Sequence, residues 1–337
     1  MPAVRTRIYR PTPVNLRRLA AKLARGGLVA VPSETVYGLA ADALNPGACE
    51  AIFTAKGRPA NDPLIVHIAH RRQLATLTTD FPDEARALAD AFWPGPLTLV
   101  LNKTPAVPDI VTAGLPSVAV RMPANPLFRQ LIRLSGCPLA APSANPFGYI
   151  SPTTAQHVKA GLDGRIAAIL DGGPCPVGVE STILDLRHPR KPVLLRPGGI
   201  SREALAEVLG RPVSFQARQL GQDIAAEAPG LLWRHYSPRT PLTLHASLSD
   251  ADWRQFPADE AILLQCKPRE RLTAPERERC HWLSHAGAPA EVARNLFDAL
   301  RRLDDGRWNR VHVELAPTKK GLGPAINDRL TRAAAKS

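Results

Sequence analysis

From Leu16 to about Leu209 short apolar runs interleave with helical stretches, and several runs follow one another with no helix between them. Segments 28–31, 64–68, 97–101, 118–121, 166–170, 182–186 and 193–195 read as strands. Segments 14–25, 47–55, 83–92, 126–134 and 201–209 read as helices. This part reads as an α/β domain; the spacing is too irregular for a repeating β-α barrel, and strands that follow one another without a helix favour a mixed sheet. Periodicity is lost over 211–230, which reads as a connector. After it come strand patterns at 242–245, 261–264 and 311–315, a long helix over 290–303 and a last helix around 325–335. That alternation predicts a second, smaller, Rossmann-like α/β domain with a parallel sheet. A chain of 337 residues also exceeds the roughly 250–300 that one core serves.

Apolar residues make up 45% of the chain and charged residues 22%, which excludes wholesale disorder and coiled coil. No apolar run approaches the ~18–20 residues of a membrane span, and the N-terminus lacks a continuous apolar signal segment, so a soluble, cytoplasmic protein is expected. The 34 prolines are spread along the sequence and mark rigid turns. The net charge of +13 directs attention to phosphate-bearing partners without identifying one. Residues 1–30 hold seven basic and no acidic side chains, the composition of a transit peptide. Against that, Leu16, Leu19, Ala20 and Leu23 share one helical face and lead directly into a strand, which favours a structural role. The five cysteines are far apart with no C-x-x-C, so neither a disulfide framework nor a zinc knuckle is indicated.

Phosphate-loop, nucleophile-elbow, metalloprotease and EF-hand signatures are absent. His67 and His70 have metal-like spacing, but no cysteine or carboxylate cluster accompanies them. Gly321-Leu322-Gly323 reads as a turn before the last helix. The chemistry-bearing residues lie instead at predicted strand ends, where open α/β sheets bind ligands. Pro32-Ser33-Glu34-Thr35-Val36-Tyr37-Gly38 follows the first strand, and Lys56-Gly57-Arg58-Pro59 ends a helix, where cations could simply offset the helix C-terminus. Arg121 closes a buried strand and needs an anionic partner there. Pro142-Ser143-Ala144-Asn145-Pro146 and Gly178-Val179-Glu180-Ser181-Thr182 add hydroxyls and an amide. Such an inventory suits a polyanion together with a small zwitterion, and it contains no evident nucleophile–base pair.

These runs, with Pro63-Leu64-Ile65-Val66-His67, Phe92-Trp93-Pro94-Gly95-Pro96-Leu97-Thr98, Val118-Ala119-Val120-Arg121-Met122-Pro123, Ser151-Pro152-Thr153 and Leu195-Arg196-Pro197-Gly198, closely resemble the YrdC-like domain in order and spacing. Ala228-Pro229-Gly230, His235-Tyr236-Ser237-Pro238, the 290–303 helix and Ala325-Ile326-Asn327-Asp328-Arg329 resemble the linker and C-terminal domain of the long form of the threonylcarbamoyl-AMP synthases. The resemblance implies a twisted mixed sheet around a basic cavity over 1–210, a linker or lid over 211–238, in which Tyr236 reaches the nucleotide, and a Rossmann-like domain over 239–337. It implies a nucleotidyltransferase that makes threonylcarbamoyl-AMP and pyrophosphate from L-threonine, bicarbonate and ATP with Mg2+. The product would go to a tRNA threonylcarbamoyl transferase complex for modification next to the anticodon, with a possible direct tRNA contact and no membrane association.

Carried over by position, Thr35, His67, Arg121, Ala141 and Ser181 match the L-threonine site. Arg58, Asp62, Ser117, Ser143, Ser151, Arg196 and Tyr236 match the ATP site. Lys56, Arg58, Ser143 and Asn145 are expected to line the reacting centre. Three positions depart from the family's commoner residues: Ser33 and Ser117 stand where threonine is usual, and Asp62 where asparagine is frequent. Asp62 brings a negative charge near phosphates, and no protein ligand to a metal is assigned. The alternative is a double-stranded RNA or tRNA-binding module without adenylate chemistry, since a basic concave surface binds phosphate backbones by charge alone. A carbamoyl-adenylate enzyme of hydrogenase maturation is a further alternative, and this chain lacks the acylphosphatase-like and zinc-finger modules that such proteins carry.

Overall fold

The computed structural model describes residues 4–215 and 236–335. Eleven strands form the larger sheet: β1 (Arg7–Tyr9), β2 (Val29–Val31), β3 (Gly38–Asp42), β4 (Ile65–His67), β5 (Leu97–Asn102), β6 (Ser117–Arg121), β7 (Leu139–Ala140), β8 (Ala168–Leu170), β9 (Thr182–Asp185), β10 (Val193–Arg196) and β11 (Ser214–Phe215). Their order is β1-β8-β2-β3-β7-β4-β6-β5-β9-β10-β11. Neighbours mix directions: β4 and β6 run parallel, whereas β3–β7, β5–β6 and β9–β10 are antiparallel. The smaller sheet holds β12 (Leu242–His245), β13 (Glu260–Cys266), β14 (Cys280–Ser284) and β15 (Arg310–Glu314) in the order β12-β15-β13-β14, all parallel.

Proline sits in the first turn of helices Pro13–Ala24, Pro46–Lys56, Pro126–Ser135 and Pro289–Leu303, where its missing N–H has no intrahelical partner to lose. Thr12, Asn45 and Asn125 cap the first three of these helices with side-chain oxygens. Helix Pro13–Ala24 buries Leu16, Leu19, Ala20 and Leu23 against the sheet beside helix Pro126–Ser135, so the basic N-terminal stretch is an integral layer of the fold.

Several elements escaped the sequence reading. β1 and β7 are too short to show alternation, β3 is built largely of Gly38, Leu39, Ala40 and Ala41 with weak strand propensity, and β14 and helix Ala155–Leu162 are not among the segments assigned from the sequence. The expected connector begins later than its composition suggests: Ser214 and Phe215 pair in parallel with β10, and Arg211 binds Glu84 at 2.9 Å. Residues 216–235, most of the expected lid, lie outside the described residues.

A hydrophobic cluster joins the two sheets. Val36, Ile150 and Val179 from the first unit pack with Tyr236 and with Val292, Leu296, Phe297 and Leu300 of helix Pro289–Leu303. Polar ties reinforce it: Arg301 donates to the carbonyls of Ile150 and Ser151, and Tyr149 Oη donates to Asp304 at 2.7 Å.

Candidate active site

After β2 the chain turns through 32–37 and returns as antiparallel β3. Ser33 shapes that turn, its Oγ accepting from the N–H groups of Thr35 (3.1 Å) and Val36 (3.2 Å). Thr35 is thereby directed inward, where its Oγ1 accepts from Arg121 Nη1 at 3.0 Å. Arg121, at the end of β6, is 4% exposed, meets Glu34 Oε1 at 2.6 Å and donates to Gly95 O at 3.1 Å. Burial, the largest influence, raises the Glu34 pKa, but the Arg121 guanidinium and the backbone N–H groups of Ala124 and of Glu34 itself outweigh it and hold the carboxyl below its usual range.

The segment 139–145 crosses the same sheet edge. Leu39 N donates to Pro142 O, Ala144 N to Tyr37 O and Ala141 N to Ile65 O, so the Pro142–Asn145 turn is bound between β3 and β4. A side chain at Gly38 would come within 3.1 Å of Ala141 Cβ, and glycine permits this approach. Lys56 stands beneath the turn, 2% exposed, its Nζ donating to the carbonyls of Ser143 and Asn145 at 2.5 Å. Burial, then the adjacent Arg58, drives its pKa well below the lysine range. Arg58 is oriented by Asp62, with Nη2–Oδ2 2.9 Å and Nε to Asp62 O 3.1 Å.

On the opposite wall Arg196, closing β10, donates to Ser181 O (3.0 Å) and Ser181 Oγ (3.1 Å), while Thr98 Oγ1 lies 2.8 Å from Ser181 Oγ. Burial lowers the pKa of both Arg58 and Arg196 from the usual arginine value, and both guanidinium groups stay cationic. His67, at the end of β4, packs against Phe128 with ring centroids 4.9 Å apart and the planes tilted by 35°, and its Nδ1 has no hydrogen-bond partner among the described residues. Burial first and Arg121 second depress its pKa to about 3, and the imidazole is neutral.

These groups enclose a cavity of about 560 Å3, including its open mouth. Of the expected L-threonine set, Thr35, His67, Arg121, Ala141 and Ser181 all line it. From the expected ATP set, Arg58, Ser143, Arg196 and Tyr236 line it as well. Asp62, Ser151, Lys56 and Asn145 stand behind that lining as supports. Ser151 Oγ donates to Glu180 Oε1 at 2.7 Å, and Asn145 Nδ2 donates to the carbonyls of Pro146 and Tyr149. Ser117 opens β6 four residues before Arg121 and, by strand alternation, on the same sheet face. Between them that face carries a buried apolar floor of Ile65, Val100, Ala119, Ile183 and Leu195.

The lining also includes Ser33, noted above only as a departure from the family's commoner residue, and Glu180 and Phe128, to which the sequence gave no role. Glu34 and Glu180 lie inside the runs Ser33-Glu34-Thr35 and Val179-Glu180-Ser181, so a carboxylate beside each expected binding residue was the available signal. Phe128 gave none, being an ordinary apolar position on an amphipathic helix. Among the described residues no group of three or more His, Cys, Asp or Glu is arranged to hold a metal, and no helix is long and apolar enough to cross a membrane.

Residues 21–198 match the Sua5/YciO/YrdC family model, described as telomere recombination, and residues 200–335 match the model described as the threonylcarbamoyl-AMP synthase C-terminal domain. The chain belongs to the threonylcarbamoyl-AMP synthase family. It is 43% identical over 324 residues to the threonylcarbamoyl-AMP synthase of Pyrococcus abyssi, covering 94% of this chain and 93% of the relative. It is 42% identical to that of Bacillus subtilis, covering 95% and 92%. The fold superposes on P. abyssi Sua5 complexed with L-threonine with a TM-score of 0.88 at 40% identity, covering 98% of both chains. Escherichia coli YciO, at 20% identity and a TM-score of 0.51, shares the fold over 57% of this chain. Members of this family are enzymes, and the cavity lies within the part that matches the first model.

Proposed function

We propose that the protein is an L-threonylcarbamoyladenylate synthase, a nucleotidyltransferase that joins L-threonine, bicarbonate and ATP into threonylcarbamoyl-AMP with release of pyrophosphate. The observation that carries this reading is the convergence of three buried arginines, Arg58, Arg121 and Arg196, on one cavity that also holds the hydroxyls of Thr35, Ser143 and Ser181. Two relatives covering nearly the whole chain bear the synthase name, and a solved neighbour holds L-threonine.

In this reading Arg121, oriented by Glu34, receives the threonine carboxylate, while Thr35, Ser181, the Ala141 backbone and neutral His67 surround the rest of the amino acid. The threonine amine attacks the bicarbonate carbon and water is lost. A carbamate oxygen then attacks the α-phosphorus of ATP as the bond to the β-phosphate bridging oxygen breaks, and pyrophosphate leaves. The nucleophile is made from the substrates, so the protein's work is alignment and charge neutralisation, for which Arg58, Arg196 and Ser143 are suitably placed. Asp62 acts by fixing Arg58. The carboxylates nearest the cavity are already turned to arginines, Glu34 to Arg121, Asp62 to Arg58 and Glu180 to Arg329. Magnesium therefore belongs to the triphosphate, where it would neutralise the departing pyrophosphate. The product is a labile mixed anhydride, and a transferase that moves its threonylcarbamoyl group to tRNA adenosine is the fitting consumer.

Pyrophosphate release tests the reading: it should require L-threonine, bicarbonate, ATP and a divalent cation together. Equal turnover with threonine omitted rejects it. L-serine should be a poorer substrate by about 1–3 kcal/mol, the worth of one methyl-sized group in a pocket. An RNA-backbone binder has no need of the groups gathered around His67, Arg121 and Ser181.

A further inference from the structure

The last helix, Gly323–Ala334, belongs to the smaller unit, yet one of its side chains reaches the cavity wall. Arg329 is 0% exposed. Its Nε meets Glu180 Oε2 at 2.8 Å, and its Nη1 donates to Pro197 O and Asp328 Oδ2, each at 2.8 Å. The other oxygen of Glu180 accepts from Ser151 Oγ, so this carboxylate, which lines the cavity, is held from both sides. The Arg329 guanidinium also lies 5.5 Å from the centroid of the Tyr236 ring, which stacks on Phe297 at 5.4 Å as well. Tyr236 is 1% exposed and adopts φ +65, a left-handed conformation unusual for a tyrosine that firm packing maintains.

We propose that Arg329 is a positioning residue for the nucleotide: it neutralises the Glu180 carboxylate in the cavity wall and holds the Tyr236 ring, so that the smaller unit completes the nucleotide site. The inference rests on the reading of the cavity as an ATP site. Without Arg329 an uncompensated carboxylate would face a triphosphate, and the loss should fall on ATP more than on threonine, whose carboxylate partner Arg121 and neighbours Thr35, His67 and Ala141 lie on other segments.

Calorimetric dissociation constants for ATP and for L-threonine, with melting temperatures, are compared among wild type, Arg329→Met, Arg329→Lys and the double variant Arg329→Met/Glu180→Gln. Arg329→Met should weaken ATP about tenfold or more while threonine affinity stays within about threefold. Arg329→Lys, which keeps the charge with fewer hydrogen bonds, should fall between. The double variant, having no unpaired carboxylate, should recover ATP affinity to within about threefold of wild type. Unchanged ATP affinity in Arg329→Met overturns the proposal. So does an equal loss for both ligands with no recovery in the double variant, the pattern of a purely structural role. Should Arg329→Met fail to fold, the double variant decides, and a tenfold weaker ATP affinity there rejects the idea. Pyrophosphate release by wild type is scored separately: ATP binding without turnover defeats the functional reading alone, and no ATP binding by wild type defeats both.

Discussion

At the end of β4, His67 has a folded pKa of about 3 against roughly 6.5 in an unfolded chain. As pH falls through that window the unfolded state takes up a proton that the native state refuses, so the associated stability is whole above about pH 6.5 and is lost progressively toward pH 3. Glu34 and Arg121 face the ring from neighbouring segments. Replacing His67 with Gln removes this linkage. Chemical denaturation should show the wild type losing about 1 kcal/mol more than His67→Gln between pH 7 and 5.5; parallel curves would mean that the imidazole is solvated. Lys56 makes a second prediction. Lys56→Met leaves two buried carbonyls of the 143–145 turn unmet, and urea unfolding should report a loss on the order of 2–5 kcal/mol. Steady-state kinetics should show both substrates affected, because the turn borders both. The motif made Lys56 and Arg58 legible as a pair of cations in the sequence, but not that one supports backbone while the other lines the cavity. That division depends on where residues 143–145 return, some ninety positions later.

Among the elements, β9 and β10 show how closely backbone must approach to build this wall. A Cβ on Gly198 would lie 2.4 Å from Ser181 C and Thr182 N and 2.5 Å from Glu180 O, all backbone atoms with no room to retreat. Gly198→Ala should therefore displace Glu180 and Ser181 and destabilise the protein by several kcal/mol, on the order of 2–4. A melting temperature and specific activity equal to wild type would rule out the tight packing described. The longer amphipathic helices and the apolar strands were legible, since period and burial coincide in Asp83–Phe92 and Leu97–Asn102. Strands such as Leu139–Ala140 and Arg7–Tyr9 were not, because two or three residues carry no period and their identity comes from the neighbours they pair with.

Across the whole molecule, the junction between the two sheets is packed to the backbone. Gly178 has φ +79, and a Cβ there would sit 2.4 Å from Arg294 Cα and 2.5 Å from Ala293 O of helix Pro289–Leu303. Gly178→Ala should force the helix away from the 178–181 segment, lowering activity about tenfold or more while the larger sheet persists. Limited proteolysis and turnover numbers read this together, and an active variant as protease-resistant as wild type would contradict it. Chain length and the alternation of strand and helix patterns marked two α/β units correctly in kind, but the core they share was hidden, because Val36, Ile150 and Val179 look like ordinary loop hydrophobes until helix Pro289–Leu303 covers them.

The pairing of Glu180 with Arg329 spans 149 residues of chain, and that separation has a meaning in time. At roughly 5–20 residues per second of synthesis, Glu180 leaves the ribosome roughly 7–30 s before its partner exists. During that interval the nascent first unit shows solvent an unpaired carboxylate and an uncovered apolar patch. If Arg329 positions the nucleotide as proposed, a growing chain holds Arg58, Arg121 and Arg196 before the wall at Glu180 is complete, and tight ATP binding waits until the last helix has been made and docked.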